Sequence, residues 1–151
     1  MFKKILIANR GEIAVRIIRT CRELGIETIA LYDENDMDSL HVRLADCCVR
    51  VPSPETFLDV TTIVQIALAY QVDAVHPGYG FLAESATFAQ QLTEAGITFI
   101  GPPAEVITAV RAKVKVLDAV QAAGFPTVTH SPECLDVHDL ATIQANAALL
   151  G

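Results

Sequence analysis

Short apolar runs alternate with amphipathic helical patterns through the first hundred residues, and this alternation leaves few folds open. The runs are Lys4 to Ala8, Glu27 to Tyr32, Cys47 to Val51, Val72 to Val75 and Ile97 to Ile100. Helical patterns occupy Glu12 to Leu24, Thr61 to Tyr70 and Glu84 to Ala95, and Ser39 is placed to cap a short helix running to Leu44. Strand, helix and strand in succession make a parallel pair, and right-handed crossovers place the helices on both faces of the sheet. The expected fold is therefore α/β, a Rossmann-like doubly wound parallel sheet of about five strands, followed by a C-terminal helical extension.

In the first helix Ile13, Ala14, Ile17, Ile18, Cys21 and Leu24 share a face, and Gly25 stands where a helix ends on a left-handed residue. Glu12 with Arg16, and Arg19 with Glu23, have i,i+4 spacing, at which an ion pair adds about 0.2–0.5 kcal/mol. In the next long helix Ile63, Ile66, Ala67 and Tyr70 form the apolar stripe. Beyond Gly101-Pro102-Pro103 the pattern gives helices over Ala104 to Val110, Lys113 to Ala123 and Leu140 to Leu150. Residues 1–124 read as one domain, and 125–151 as a linker and helix leading toward a further domain.

Charge and cysteine usage remove several classes of function. A net charge of −7 opposes a nucleic-acid footprint, which needs clustered Lys and Arg. No apolar run approaches the roughly 18 residues of a membrane span. Behind Met1-Phe2-Lys3-Lys4 the apolar stretch is only Ile5 to Ala8, too short for a signal-peptide core, so no membrane partner and a cytoplasmic location are expected. Cys21, Cys47, Cys48 and Cys134 form no C-x-x-C pair and are not at ligand spacing from His41, His76, His130 or His138. They read as buried free thiols, with Cys47 and Cys48 on opposite faces of their strand, and no metal site is expected.

Two strand-to-helix turns carry the functional signal. His76-Pro77-Gly78-Tyr79-Gly80-Phe81-Leu82 follows the fourth run. Two glycines around a tyrosine let a ligand approach the backbone at the carboxyl end of a strand, where open α/β sheets bind. The alternative is a tight turn in which Tyr79 merely packs. The turn after the first run, Ala8-Asn9-Arg10-Gly11-Glu12-Ile13-Ala14, has one glycine where a dinucleotide fingerprint needs three, and Glu12 repels a pyrophosphate. Asp33 or Glu34 lies at the ribose-binding distance, but acidic loop residues are common, so NAD or FAD in the usual place is disfavoured. Asn9-Arg10-Gly11-Glu12 is read as structural, its polar side chains holding the first turn.

Taken together, Ile7 to Ala14, His76 to Leu82, Phe99-Ile100-Gly101-Pro102, Lys113 and Ala123-Gly124-Phe125-Pro126 resemble the N-terminal domain of biotin carboxylase, in the same order and across nearly all of the chain. That family serves the acetyl-CoA, propionyl-CoA, methylcrotonyl-CoA and pyruvate carboxylases. The resemblance implies a ligase that uses ATP, magnesium and bicarbonate to carboxylate biotin on a biotin carboxyl carrier protein, with a carboxyltransferase downstream. In acetyl-CoA carboxylases it serves fatty acid biosynthesis. By the same resemblance Tyr79 and Gly80 line the biotin pocket and Lys113 contacts ATP. Arg16, Arg19 and Glu23 lie on a helix that forms a homodimer interface. No residue here is catalytic and none binds metal. The catalytic groups belong to an ATP-grasp remainder, so this chain alone is expected to be inactive and to hold no cofactor tightly.

Two departures from the family pattern stand out: Arg111-Ala112 before Lys113, and Ala83-Glu84-Ser85 where Ser-Glu-Asn is usual. Losing a serine cap costs about 0.5–2 kcal/mol unless a neighbour replaces it. Two other readings remain alongside the resemblance: a Rossmann-like oxidoreductase domain that binds a nucleotide, and a noncatalytic interaction module using the exposed face of the first helix.

Overall fold

Five strands, β1 (Lys4–Ile7), β2 (Glu27–Tyr32), β3 (Cys47–Arg50), β4 (Ala74–His76) and β5 (Thr98–Phe99), lie parallel in the order β3-β2-β1-β4-β5. This is the doubly wound sheet that the alternating pattern implies. The computed structural model describes residues 1–131, 135–136 and 138–150, with the backbone alone at 149 and 150. The expected thiol at Cys134 and the terminal Gly151 lie outside the described residues. The chain divides into two compact units, Met1–Ile107 and Thr108–Gly151.

Helices α1 (Gly11–Glu23), α2 (Leu40–Leu44), α3 (Val60–Ala69) and α4 (Ala86–Glu94) carry the crossovers of the first unit. A further helix, α5 (Ala104–Arg111), runs across the division, and α6 (Lys113–Ala122) and α7 (Leu140–Leu150) belong to the second unit. Side chains on a strand alternate between faces, which gives β1 two different cores. Leu6 and Ala8 join Ile29, Leu31 and Val75 against Ile63 and Ala67 of α3 and Phe88 and Leu92 of α4. Ile5 and Ile7 join Ala74 against Ala14, Ile17, Ile18 and Cys21 of α1. Burying each large apolar side chain of this kind contributes about 1.5–3 kcal/mol, so the central strand is held from both sides.

Several local expectations need correction. Leu24 and Tyr70, read as core, are the C-caps of α1 and α3 and are 58% and 38% exposed, because the last residue of each helix has turned off the apolar stripe. Neither Glu12–Arg16 nor Arg19–Glu23 closes as an ion pair among the described residues; Glu12 turns to Tyr79 instead. Ser39 does occupy the N-cap of α2, yet its hydroxyl reaches Asp36 and caps nothing. Of the described cysteines Cys21 is buried, whereas Cys47 and Cys48 are half-buried on an edge strand. Short 3-10 turns form at Glu34–Asp36, Pro54–Leu58 and Phe81–Glu84, the last taking up Glu84, the expected start of a helix. The helix after the glycine loop starts at Ala86, and Ser85 caps it by accepting from the Phe88 N–H at 3.2 Å. The serine missing at position 83 is thus replaced two residues later.

Four of the helices end on one bonding pattern, three of them with glycine at its left-handed position. α1, α4 and α6 each end with the C″ N–H on the C3 carbonyl and the C′ N–H on the C2 carbonyl, with Gly25, Gly96 and Gly124 at the left-handed C′ position. α3 ends with the same bonds, Val72 to Ala67 and Gln71 to Leu68, but Gln71 holds the left-handed conformation at φ 51°. A side chain there is strained by about 1 kcal/mol relative to glycine. Gln71→Gly is expected to stabilise the chain by about 0.5–1 kcal/mol, partly offset by the greater freedom of glycine in the unfolded state. A urea midpoint that fails to rise would show that the turn is already relaxed.

Candidate functional site

The sheet order reverses at β1. The chain leaves β1 toward β2 and β3 on one side, then returns to add β4 and β5 on the other. The turns after β1 and β4 therefore part at the carboxyl edge and open the crevice at which sheets of this kind bind ligands. Both turns singled out from the sequence sit there, and they are joined to each other.

Asn9 makes the join. It is 2% exposed, and its Nδ2 donates to the Pro77 carbonyl at 2.8 Å and the Tyr79 carbonyl at 2.9 Å. Its Oδ1 accepts from the Arg10 N–H at 2.9 Å, which fixes which end of the carboxamide faces which partner. One residue earlier the Ala8 N–H donates to the His76 carbonyl. The Gly78 N–H donates to His76 Nδ1 at 3.0 Å, so that nitrogen carries no proton and the ring is the neutral Nε2–H tautomer. Burial pushes the His76 pKa down, in agreement.

Tyr79 is exposed, and its hydroxyl donates to the Glu12 carboxylate at the start of α1. That hydrogen bond, and the carboxylate charge behind it, raise the phenol above the ordinary tyrosine range. Gly80 is at φ 62°, ψ −159°, a region open in practice only to glycine. Its carbonyl accepts from the Ala83 N–H at 2.8 Å. The Tyr79 and Gly80 amides donate to no acceptor among the described residues. Two unengaged amides beside an aromatic ring suit a planar, polar acceptor with an apolar face.

A second layer holds this loop from outside. Arg10 Nη1 bonds Asp33 Oδ2 at 3.0 Å and Asp36 Oδ2 at 3.2 Å, and its guanidinium lies 5.5 Å from the Phe57 ring centroid. Phe57, 1% exposed, packs its ring 5.9 Å from that of Phe81, the residue after Gly80, whose own φ is 46°. Asp33, a candidate ribose ligand by spacing, is fully buried and committed to Arg10 and to the Asn35 N–H. This disposes of a dinucleotide ribose at that position.

The other candidates belong to other elements of the chain. Lys113 is the first residue of α6, in the second unit, with Ala112 as a cap that offers no side-chain bond. Arg16, Arg19 and Glu23 are exposed on α1, and the two arginines line a surface groove of about 680 Å³ shared with Glu12 and Leu40. Among the described residues no group of three or more His, Cys, Asp and Glu side chains is placed to hold a metal. No helix among them is long and apolar enough to cross a membrane. The sequence assigned Asn9 to its own turn. Its bonds to the other loop, 68 and 70 residues away, left no signal in any local pattern.

Known proteins share this fold. A model of the biotin carboxylase N-terminal domain matches residues 1–107. Biotin carboxylase of Halalkalibacterium halodurans is 53% identical over 138 residues, covering 89% of this chain and 30% of the relative. Biotin carboxylase 1 of Bacillus subtilis is 49% identical over 149 residues, covering 97% and 33%. Among solved structures, the biotin carboxylase domain dimer of Hydrogenobacter thermophilus 2-oxoglutarate carboxylase, in complex with MgADP, ADP and bicarbonate, matches with a TM-score of 0.89 at 44% identity. The match covers 100% of this chain and 33% of that one. The chain thus spans about a third of the length of the relatives it matches. A five-stranded sheet in this order, the two joined turns and these matches agree, and the chain belongs to the biotin carboxylase N-terminal domain family.

Proposed function

We propose that this chain supplies the biotin-facing wall of a biotin carboxylase, a ligase that uses ATP and bicarbonate to carboxylate biotin on a carrier protein. Residues 1–124 act as the domain, and 125–151 lead toward an ATP-grasp body. The observation that carries the reading is the loop at the reversal of the sheet, where the Tyr79 and Gly80 amides have no acceptor among the described residues and lie beside the Tyr79 ring. A ureido carbonyl is an acceptor of the right kind, and the flat ureido ring suits the face of an aromatic. Bound ATP and magnesium supply phosphoryl transfer to bicarbonate. Lys113 balances phosphate charge at the nucleotide, and the other groups needed lie in the ATP-grasp body. Arg16, Arg19 and Glu23 form the self-association face, and the carrier protein and a carboxyltransferase are the downstream partners.

The test supplies the remaining two thirds of the enzyme from a relative and follows ATP hydrolysis that depends on both biotin and bicarbonate. Neither piece alone is expected to turn over, and the mixture is. In the active mixture Tyr79→Ala raises the KM for biotin about tenfold, the equivalent of about 1.4 kcal/mol, and leaves the KM for ATP in place. Lys113→Ala does the reverse. Turnover by this chain alone, or a biotin KM indifferent to Tyr79, would sink the assignment.

A further inference from the structure

We propose that Asn9 is the positioning residue of the biotin-facing loop: by fixing two peptide planes it sets the direction of the unengaged Gly80 N–H, turned away from Asn9, before any ligand arrives. The inference rests on the reading of that loop as the biotin wall. The argument is one of peptide geometry. In a planar trans peptide the carbonyl and the following N–H point in opposite directions, and none of the described peptide bonds is cis. Asn9 Nδ2 holds the Tyr79 carbonyl at 2.9 Å, so the Gly80 N–H in the same peptide plane points away from Asn9. It likewise holds the Pro77 carbonyl at 2.8 Å, which turns the Gly78 N–H the other way, where His76 Nδ1 receives it. Of the two amides thus oriented, one is consumed inside the loop and the other is left free to donate.

Asn9 is suited to this task and few residues replace it. One primary amide nitrogen carries two hydrogens and serves both carbonyls at once. Its orientation is not free to flip, because Oδ1 is taken by the Arg10 N–H. Burial at 2% exposure leaves little room for water to substitute. Gly78 permits the close approach: a Cβ there would lie 2.6 Å from Asn9 Nδ2. Donors held in place before binding act without the loss of freedom that a mobile loop undergoes, and that difference falls on biotin and not on ATP.

The test uses Asn9→Asp, which is isosteric and sets a carboxylate against the two carbonyls, and Asn9→Ser, which is too short to reach both. Two readouts are taken. In the 151-residue chain, nitrogen-15 relaxation reports the order of the Gly80 amide, with exchange protection of Leu6 and Ile29 verifying the core. In the reconstituted carboxylase, the KM values for biotin and ATP are measured beside those of Tyr79→Ala. The expected result is a Gly80 order parameter falling from about 0.85 to below about 0.6 with the core still protected. The biotin KM then rises about fivefold or more and the ATP KM is unchanged. A Gly80 amide that stays ordered overturns the proposal. So does loss of core protection in both variants, which would make Asn9 a folding residue only. If Tyr79→Ala raises the biotin KM and the Asn9 variants do not, the role of Asn9 falls and the site survives. If the loop loosens and none of these variants moves the biotin KM, the site itself falls and the proposal with it.

Discussion

Arg10→Ala is expected to destabilise the chain by about 3–5 kcal/mol, because it strands a buried carboxylate. Asp33 has no solvent-accessible side chain, and among the described residues its carboxylate is bonded by Arg10 and by the Asn35 N–H at 2.7 Å and by no other group. The pair itself is no source of large net stability: desolvating both charges cancels much of their attraction. The asymmetry decides the outcome. With the guanidinium gone, a negative charge stays in the interior, and Asp36, which shared the same Nη1 at 3.2 Å, adds a second negative charge nearby. Loss of the cation over the Phe57 ring adds about 0.5–1 kcal/mol. The double variant Arg10→Ala with Asp33→Asn removes the charge and keeps an oxygen for the Asn35 N–H, and is expected to recover at least half of the loss. Chemical denaturation of the two single variants and the double gives the coupling directly. A double variant as unstable as Arg10→Ala alone would place the damage in packing against Phe57 and not in the unpaired charge.

This pair also shows where the sequence stops being readable. The five strands and their helices were legible because each is a local pattern: apolar pairs at period two in β1, the Ile13 to Cys21 stripe of α1, a glycine after Leu24. The carboxyl-edge loop was legible for the same reason, since glycines around a tyrosine after a strand mark one place on such a sheet. The bonds that give the loop its shape join residues far apart in the chain: Asn9 to Tyr79, Arg10 to Asp33 and Phe57 to Phe81. Period and composition carry no trace of them. Asp33 illustrates the failure best. Among Asp33-Glu34-Asn35-Asp36 all four residues look like solvated loop, and only the arrival of Arg10 from the other turn makes one of them an interior charge. Gln71 is the converse case: a strained left-handed residue that looks ordinary in sequence because three other helices place glycine there.

Gly78→Ala tests the join between the two turns from the other side, and its effect is expected to reach about 3–5 kcal/mol. Two penalties add. At φ 67° any side chain meets left-handed strain of about 1–2 kcal/mol. The new Cβ would also lie 2.6 Å from Asn9 Nδ2, 2.9 Å from its Cγ and 3.0 Å from its Cβ, so the whole Asn9 side chain stands in the way and not merely its tip. Asn9 is buried and bonded on three sides and cannot step back without releasing the Pro77 and Tyr79 carbonyls. Each buried carbonyl left unpaired costs about 1–3 kcal/mol. Gly25→Ala supplies the comparison, since it shares the left-handed backbone at φ 70° but has nothing within 4 Å of its new Cβ. It is expected to lose only the conformational part. The difference between the two losses, read from denaturant midpoints, measures how firmly Asn9 is held. Adding Asn9→Ala to Gly78→Ala removes the two nearest atoms, Nδ2 and Cγ, and leaves only the Asn9 Cβ at 3.0 Å, so the pair is expected to lose less than the sum of its parts. Equal losses at Gly78 and Gly25 would mean that Asn9 yields easily, and a side chain that yields easily cannot fix the peptide plane that carries the Gly80 amide.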